Sequence, residues 1–161
     1  MTRLLLAAAA LAFVGCAAPE PPRYFSISAD FSEAERETIR AAVDAWCESD
    51  AGSCPEEIGW SDWGRFELVD HIESHEVCAR TPGCVVGGKN THDGRVIIAR
   101  DRLVADDMTM LWTIAAHEWG HFCIDGHPVS GGLMAAIHEA DEGALTVDDE
   151  AVSAWKGGCG L

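Results

Sequence analysis

The sequence has little positive charge and no long apolar run. It contains 11 Lys and Arg residues against 27 Asp and Glu, a formal net charge of −16, which argues against a nucleic-acid-binding surface. The longest apolar run, residues 4–14, is too short to span a bilayer. No internal repeat or low-complexity tract follows it. A chain of 161 residues with 48% apolar composition is therefore expected to form one globular domain.

The N-terminal segment is typical of an export signal. Residues 1–15 combine a basic Arg3 with the short apolar run, as secretory signal peptides do. The run ends in Phe-Val-Gly-Cys, which resembles a bacterial lipobox with Phe13 where Leu is usual. In that case Cys16 is lipidated and becomes the mature N-terminus. The alternative is ordinary signal cleavage near residues 17–18.

The remaining chain divides into a tether and a folded domain. Residues 16–22 are rich in Pro and predict a short, semi-extended tether. Residues 23–161 are expected to form a single domain, monomeric and exported to the bacterial cell envelope. The lipid on Cys16 is then its only attachment to a membrane. A secreted or soluble periplasmic protein is the alternative.

Six cysteines lie beyond Cys16, and an even count in an exported domain predicts three disulfides. Six cysteines allow 15 connectivities. Short loops favour the pairs Cys47–Cys54 and Cys78–Cys84, which leaves Cys123–Cys159. The alternative for Cys123 is a metal ligand or nucleophile, although it lies off the metal-facing side of its predicted helix.

The stretch with the most specific chemistry is an HExxH motif. On a helix, His117 and His121 lie one turn apart on the same face. Two imidazoles so placed can bind one Zn²⁺ at about 2.0–2.1 Å each. Glu118 projects roughly 100° around the helix from His117. It can therefore polarise a bound water without being a ligand.

A catalytic zinc site needs a third protein ligand, and His127 is the first candidate. The Asp125-Gly126 dipeptide is typical of a helix stop and turn, because Gly adopts positive φ without steric cost. The chain can therefore turn back after about Ile124 and bring His127 to the metal. Met134 follows seven residues later.

Three histidines and a methionine at this spacing resemble the metzincin metalloproteases, whose signature is HExxHxxGxxH with a Met-turn. The stretch is most similar to the matrixin branch, in which Leu-Met lies a similar distance past the third histidine. Here that dipeptide is Leu133-Met134. Ile124 stands where the family has Gly, so the turn must be made differently, with Gly126 as the candidate.

The resemblance implies a site and an activity. His117, His121 and His127 are the expected ligands of one catalytic zinc ion, Glu118 is the expected general base, and Met134 is the expected Met-turn residue below the metal. The expected activity is a zinc endopeptidase that hydrolyses peptide bonds in protein or peptide substrates.

Two alternatives remain open at the level of sequence. A gluzincin-type peptidase takes its third ligand from a downstream Glu, and Glu139 and Glu142 are at feasible distances from His121. A zinc-stabilised cell-envelope binding or scaffold module with little turnover belongs to a different functional class. The presence of Glu118 favours an enzyme over such a module.

The remaining pattern predicts an α+β fold of the metzincin kind: a small twisted mixed sheet, an N-terminal helix, a zinc helix, a Met-turn and a C-terminal helix. By resemblance, residues 96–99 form the edge strand above the cleft, with a core strand as the alternative. The predicted strands are residues 23–29, 65–69 and 96–99, with a short one at 85–86. The predicted helices run from a Ser32 cap to about residue 48, over 107–123, and from a Thr146 cap to Gly157.

Overall fold

The computed structural model describes residues 20–49, 54–73, 86–91, 93–103, 108–127, 132–134 and 146–159. The predictions for the signal peptide, Cys16, the Cys78–Cys84 pair, Glu139 and Glu142 lie outside these residues. Within them, no helix is long and apolar enough to cross a bilayer.

The fold is α+β with a mixed sheet, as predicted, and the described residues form five strands and three α-helices. The strands are β1 (Tyr24–Ile27), β2 (Glu56–Glu57), β3 (Arg65–Val69), β4 (Gly88–Asn90) and β5 (Arg95–Ala99), and the α-helices are α1 (Glu33–Glu48), α2 (Met108–Gly120) and α3 (Asp149–Cys159). A short 3-10 helix, Arg100–Arg102, follows β5. The strand order is β2-β1-β3-β5-β4. Only the β4–β5 pair is antiparallel.

Helix α1 starts at the predicted capping box. The Ser32 hydroxyl accepts from the Glu35 backbone N–H, and the Glu35 carboxylate accepts from the Ser32 backbone N–H. These bonds satisfy N–H groups that have no partner inside the helix. Ile39, Val43 and Trp46 form one apolar stripe of α1 and are fully buried. Its burial holds α1 against the helix that carries the HExxH motif.

Two tryptophans join the helices and the sheet around α2. Trp119 of α2 lies between the aromatic rings of two strands, stacked on Phe66 at 5.8 Å and edge-on to Phe25 at 5.9 Å. Trp46 of α1 donates its ring N–H to the backbone oxygen of Ala116 at 2.9 Å. Both tryptophans are fully buried. The end of α2 that carries the histidines is therefore held by α1 on one side and by the sheet on the other.

Two predictions about strands were wrong. The edge next to α2 is formed by β4, and β5 lies inside the sheet between β3 and β4. The short strand expected at residues 85–86 is instead Gly88–Asn90; Val86 is outside it, and residue 85 is not described. Strand β2 was also missed. Neither β2 nor β4 has β-branched residues, and each is held by pairing with a stronger neighbour.

Two helix boundaries also differ from prediction. Helix α2 ends at Gly120, three residues early, in a turn whose Cys123 and Ile124 N–H groups both bond to the Gly120 oxygen. Helix α3 is capped by Asp148, which accepts from the Ala151 N–H at 2.8 Å, and not by Thr146. It continues through Gly157, the predicted stop, to Cys159.

Two of the three expected disulfides lie within the described residues, and both are present. Cys47–Cys54 closes the end of α1 onto the following loop, and Cys123–Cys159 ties the turn after α2 to the end of α3. The Gly158 backbone packs directly against the Cys123 carbonyl, where a Cβ would clash. Helix α3 therefore continues to Cys159 because the disulfide and this close contact hold its last turn.

Candidate metal centre

The three predicted histidines come from the end of α2 and the turn that follows it. His117 is in the last turn of α2, His121 is the first residue after the helix, and His127 follows six residues later. Gly126 has φ of +65°, as predicted for the residue that makes the turn. Ile124 is buried in the core. The turn therefore buries Ile124 and carries the third histidine back to the helix.

Hydrogen bonds donated to backbone carbonyls orient two of the rings. His117 Nδ1 lies 2.6 Å from the Leu133 oxygen, and His121 Nδ1 lies 3.0 Å from the Ile124 oxygen. A carbonyl oxygen only accepts, so each Nδ1 carries the proton and donates it. In the neutral ring, Nε2 then has a lone pair. Burial lowers the pKa of His121, opposed by the bond to Ile124 and the charge of Asp125, and so favours the neutral ring.

The Nε2 atoms of the three rings face one another. His117 Nε2 is 3.1 Å from His121 Nε2 and 3.1 Å from His127 Nε2. The ligand atoms of all three residues lie within 4.8 Å of one another, close enough to share one metal ion. With the proton on Nδ1, the neutral rings of His117 and His121 would each offer the Nε2 lone pair to such an ion.

The predicted Met-turn follows the three histidines in sequence and packs against α2. The structure describes residues 132–134 of it, with Gly132 at φ of +69°. Met134 is 1% exposed. A Cβ on Gly120 would lie 2.5 Å from the Met134 sulfur, so the glycine is what lets the methionine reach the helix.

Glu118 is buried beside the histidines and bonded to the edge strand. Glu118 belongs to α2, and only 8% of the residue is exposed. Its Oε2 accepts from the backbone N–H of Asn90 at 2.7 Å, and its backbone oxygen accepts from the Asn90 side-chain amide at 3.0 Å. Burial raises the pKa of Glu118 to about 7, and the Asn90 N–H opposes that rise.

Asn90 was not identified from the sequence, although a signal was present. A tight turn precedes β5, in which the Gly94 N–H bonds to the Thr91 oxygen and Gly94 has positive φ. A tight turn followed by a strand predicts a second strand before the turn. That rule would have placed residues 88–90 at the edge of the sheet. Their contact with Glu118 depends on tertiary packing.

His71 does not join this cluster. It lies after β3, more than half exposed, with its Nδ1 2.8 Å from Asp101.

The chain matches no protein-family model and no curated protein sequence. The convergence of three histidines beside a buried glutamate is therefore the observation from which a function can be inferred.

Proposed function

We propose that the protein is a zinc-dependent endopeptidase of the metzincin type. The observation that carries the proposal is the convergence of three histidines beside the buried Glu118, with the Nε2 atom of His117 3.1 Å from the Nε2 atoms of both His121 and His127. Ligand atoms at 2.0–2.1 Å from a tetrahedral zinc ion are about 3.3–3.4 Å apart. The observed spacing is close to that value, and neutral imidazoles are ligands that zinc prefers.

The ligands are held in the way a zinc site requires. Backbone carbonyls accept from His117 and His121 at Nδ1 and so present Nε2 to the ion. His127 is the exposed member of the three and stands at the solvent side of the site. Three protein ligands leave one coordination position for the reaction, as in catalytic rather than structural zinc sites.

The chemistry divides between the ion and the chain. Bound zinc supplies Lewis acidity that activates water near neutral pH and polarises the scissile carbonyl. Glu118 accepts the proton of the attacking water and delivers it to the leaving amine. Its burial favours proton uptake, since desolvation disfavours the charged carboxylate.

The sheet supplies a surface for an extended substrate. Strand β4 is the last strand of the described sheet, next to Glu118. An extended peptide can pair with such an edge through its backbone. We assign to β4 the substrate-binding role that the sequence assigned to residues 96–99.

The site is proposed to act outside the cytoplasm. The two disulfides are expected in an oxidising compartment. With the lipobox-like sequence, they favour a protein of the bacterial cell envelope attached through Cys16.

The proposal is tested by cleavage of an unfolded protein under metal exchange. Purified protein should cleave the substrate, lose that activity on chelation, and regain it with zinc. Cleavage that persists in metal-free protein would reject the proposal, and so would zinc-loaded protein with no cleavage of any unfolded substrate.

A further inference from the structure

Strand β4 presents two residues to the open edge of the sheet. In the antiparallel β4–β5 pair, the Ala99 N–H bonds to the Gly87 oxygen and the Thr91 N–H bonds to the Arg95 oxygen. Hydrogen-bonded pairs alternate along such a ladder. The N–H and carbonyl groups of Gly88 and Asn90 therefore point away from β5, and Glu118 lies on that side.

Asn90 donates two hydrogen bonds to Glu118. Its outward N–H donates to Oε2 of the carboxylate, and its side-chain amide donates to the backbone oxygen. The backbone oxygen belongs to the last turn of α2, where carbonyls lack partners within the helix. One residue of the edge strand thus satisfies the carboxylate and fixes the helix end that carries it.

Two glycines allow the strand to come this close. A Cβ on Gly88 would lie 2.4 Å from a methyl of Ile114 and 2.9 Å from Cγ of Glu118. A Cβ on Gly87 would lie 2.7 Å from Ile114. With side chains at these positions β4 could not reach α2, so the contact with Glu118 depends on them.

We propose that Asn90 is a positioning residue for the general base Glu118. The inference rests on the proposed peptidase function. Because Oε2 accepts from Asn90, that oxygen is fixed on the strand and Oε1 is the oxygen that exchanges protons with the attacking water and the leaving amine. The bond from the Asn90 side-chain amide to the Glu118 backbone oxygen fixes the end of α2 and so the position of the carboxylate.

The kinetic test compares Asn90 with an exposed residue outside the site. Asn90→Ala removes the amide that bonds to the Glu118 backbone, and kcat should fall about 10- to 100-fold with KM and zinc content little changed. Glu37→Ala is the control, since Glu37 is exposed on α1, outside the histidine cluster and the edge strand. It should keep kcat. An unchanged kcat in Asn90→Ala, with a normal loss in Glu118→Gln, would overturn the inference and leave the peptidase proposal standing.

A double variant separates positioning from general stability. If Asn90 acts through the base, adding Asn90→Ala to Glu118→Gln should lower the remaining kcat by less than about twofold. If Asn90→Ala instead lowers kcat by the same factor in the wild type and in Glu118→Gln, Asn90 acts on the fold as a whole. That result would overturn the positioning role.

A second measurement does not depend on activity. The Asn90 amide hydrogen should exchange slowly with solvent, although it faces the edge of the sheet, and roughly 10- to 100-fold faster in Glu118→Ala. The Thr91 amide, bonded to Arg95, is the control and should not change. Equal exchange of the Asn90 amide in both proteins would show that the carboxylate does not hold it. This result is decisive even if wild-type protein cleaves nothing, an outcome that rejects the peptidase proposal separately.

Discussion

His117 Nδ1 lies 2.6 Å from the backbone oxygen of Leu133, sixteen residues later in the chain. This bond makes the predicted Met-turn part of the metal centre, because it fixes the tautomer of the first histidine. The next residue, Met134, packs on Gly120 of the same helix. The turn therefore holds α2 at two points, one through a polar bond and one through close apolar packing.

The packing of Met134 on α2 predicts a cost for any side chain at Gly120. In Gly120→Ala the new Cβ would lie 2.5 Å from the Met134 sulfur and 2.9 Å from the Trp46 ring. Overpacking costs about 1–3 kcal/mol, while alanine recovers about 1 kcal/mol of helix propensity. We expect a net loss of up to about 2 kcal/mol in the free energy of unfolding, measured by denaturant titration.

Gly157→Ala in α3 is the matched control, since a Cβ there meets nothing within 4 Å. It should be neutral or stabilising by up to about 1 kcal/mol. Equal stability changes in the two variants would contradict the packing of Met134 on Gly120.

The three-histidine site predicts a specific loss of metal. His127→Ala leaves two ligands and should weaken zinc binding strongly, as measured by titration against a competing chelator. Because zinc binds the folded protein, the stabilisation by added zinc should fall with the affinity. Full affinity in His127→Ala, with loss in Glu142→Ala, would assign the site to the gluzincin arrangement.

The disulfides predict unequal contributions to stability. In the chain-entropy relation, the Cys123–Cys159 bond, with a separation of 36 residues, is worth about 4 kcal/mol. The Cys47–Cys54 bond, with a separation of 7, is worth about 2 kcal/mol. Paired Cys→Ser variants compared by denaturant titration should follow this order.

Natively exported protein should also show no free thiol on alkylation and mass analysis; two or more reactive thiols would contradict the three-disulfide prediction.

The Phe-Val-Gly-Cys junction predicts attachment to a membrane. A radiolabelled fatty acid should label the wild-type protein in the producing bacterium and should not label Cys16→Ser. The variant should move from the membrane fraction to the soluble fraction. Equal release of both proteins would indicate a simple secretory signal.

The strong local patterns of the sequence predicted the corresponding elements well. The Ser32 cap of α1 and the strand at residues 65–69 both appear at the expected positions. Each of these signals lies within one element. The spacing of the three histidines likewise identified residues that the fold brings together.

The features that were missed depend on contacts between distant residues. Strand β4 is Gly-Lys-Asn, a composition with little strand propensity, and it forms because β5 pairs with it. The end of α2 at Gly120 depends on the turn that follows and on the disulfide at Cys123. The bonds from Asn90 to Glu118 join residues 28 apart, and no local pattern records them.

The most direct test of the proposed activity is the rate at which Glu118→Gln cleaves an unfolded protein, measured beside the wild type at equal zinc content. Glutamine keeps the size of the side chain but cannot accept the proton of the attacking water. The variant should retain zinc and fold while its cleavage rate falls by about 10²–10⁴-fold or more. Equal cleavage by the two zinc-loaded proteins would contradict the role of Glu118 as the base and the mechanism proposed for this site.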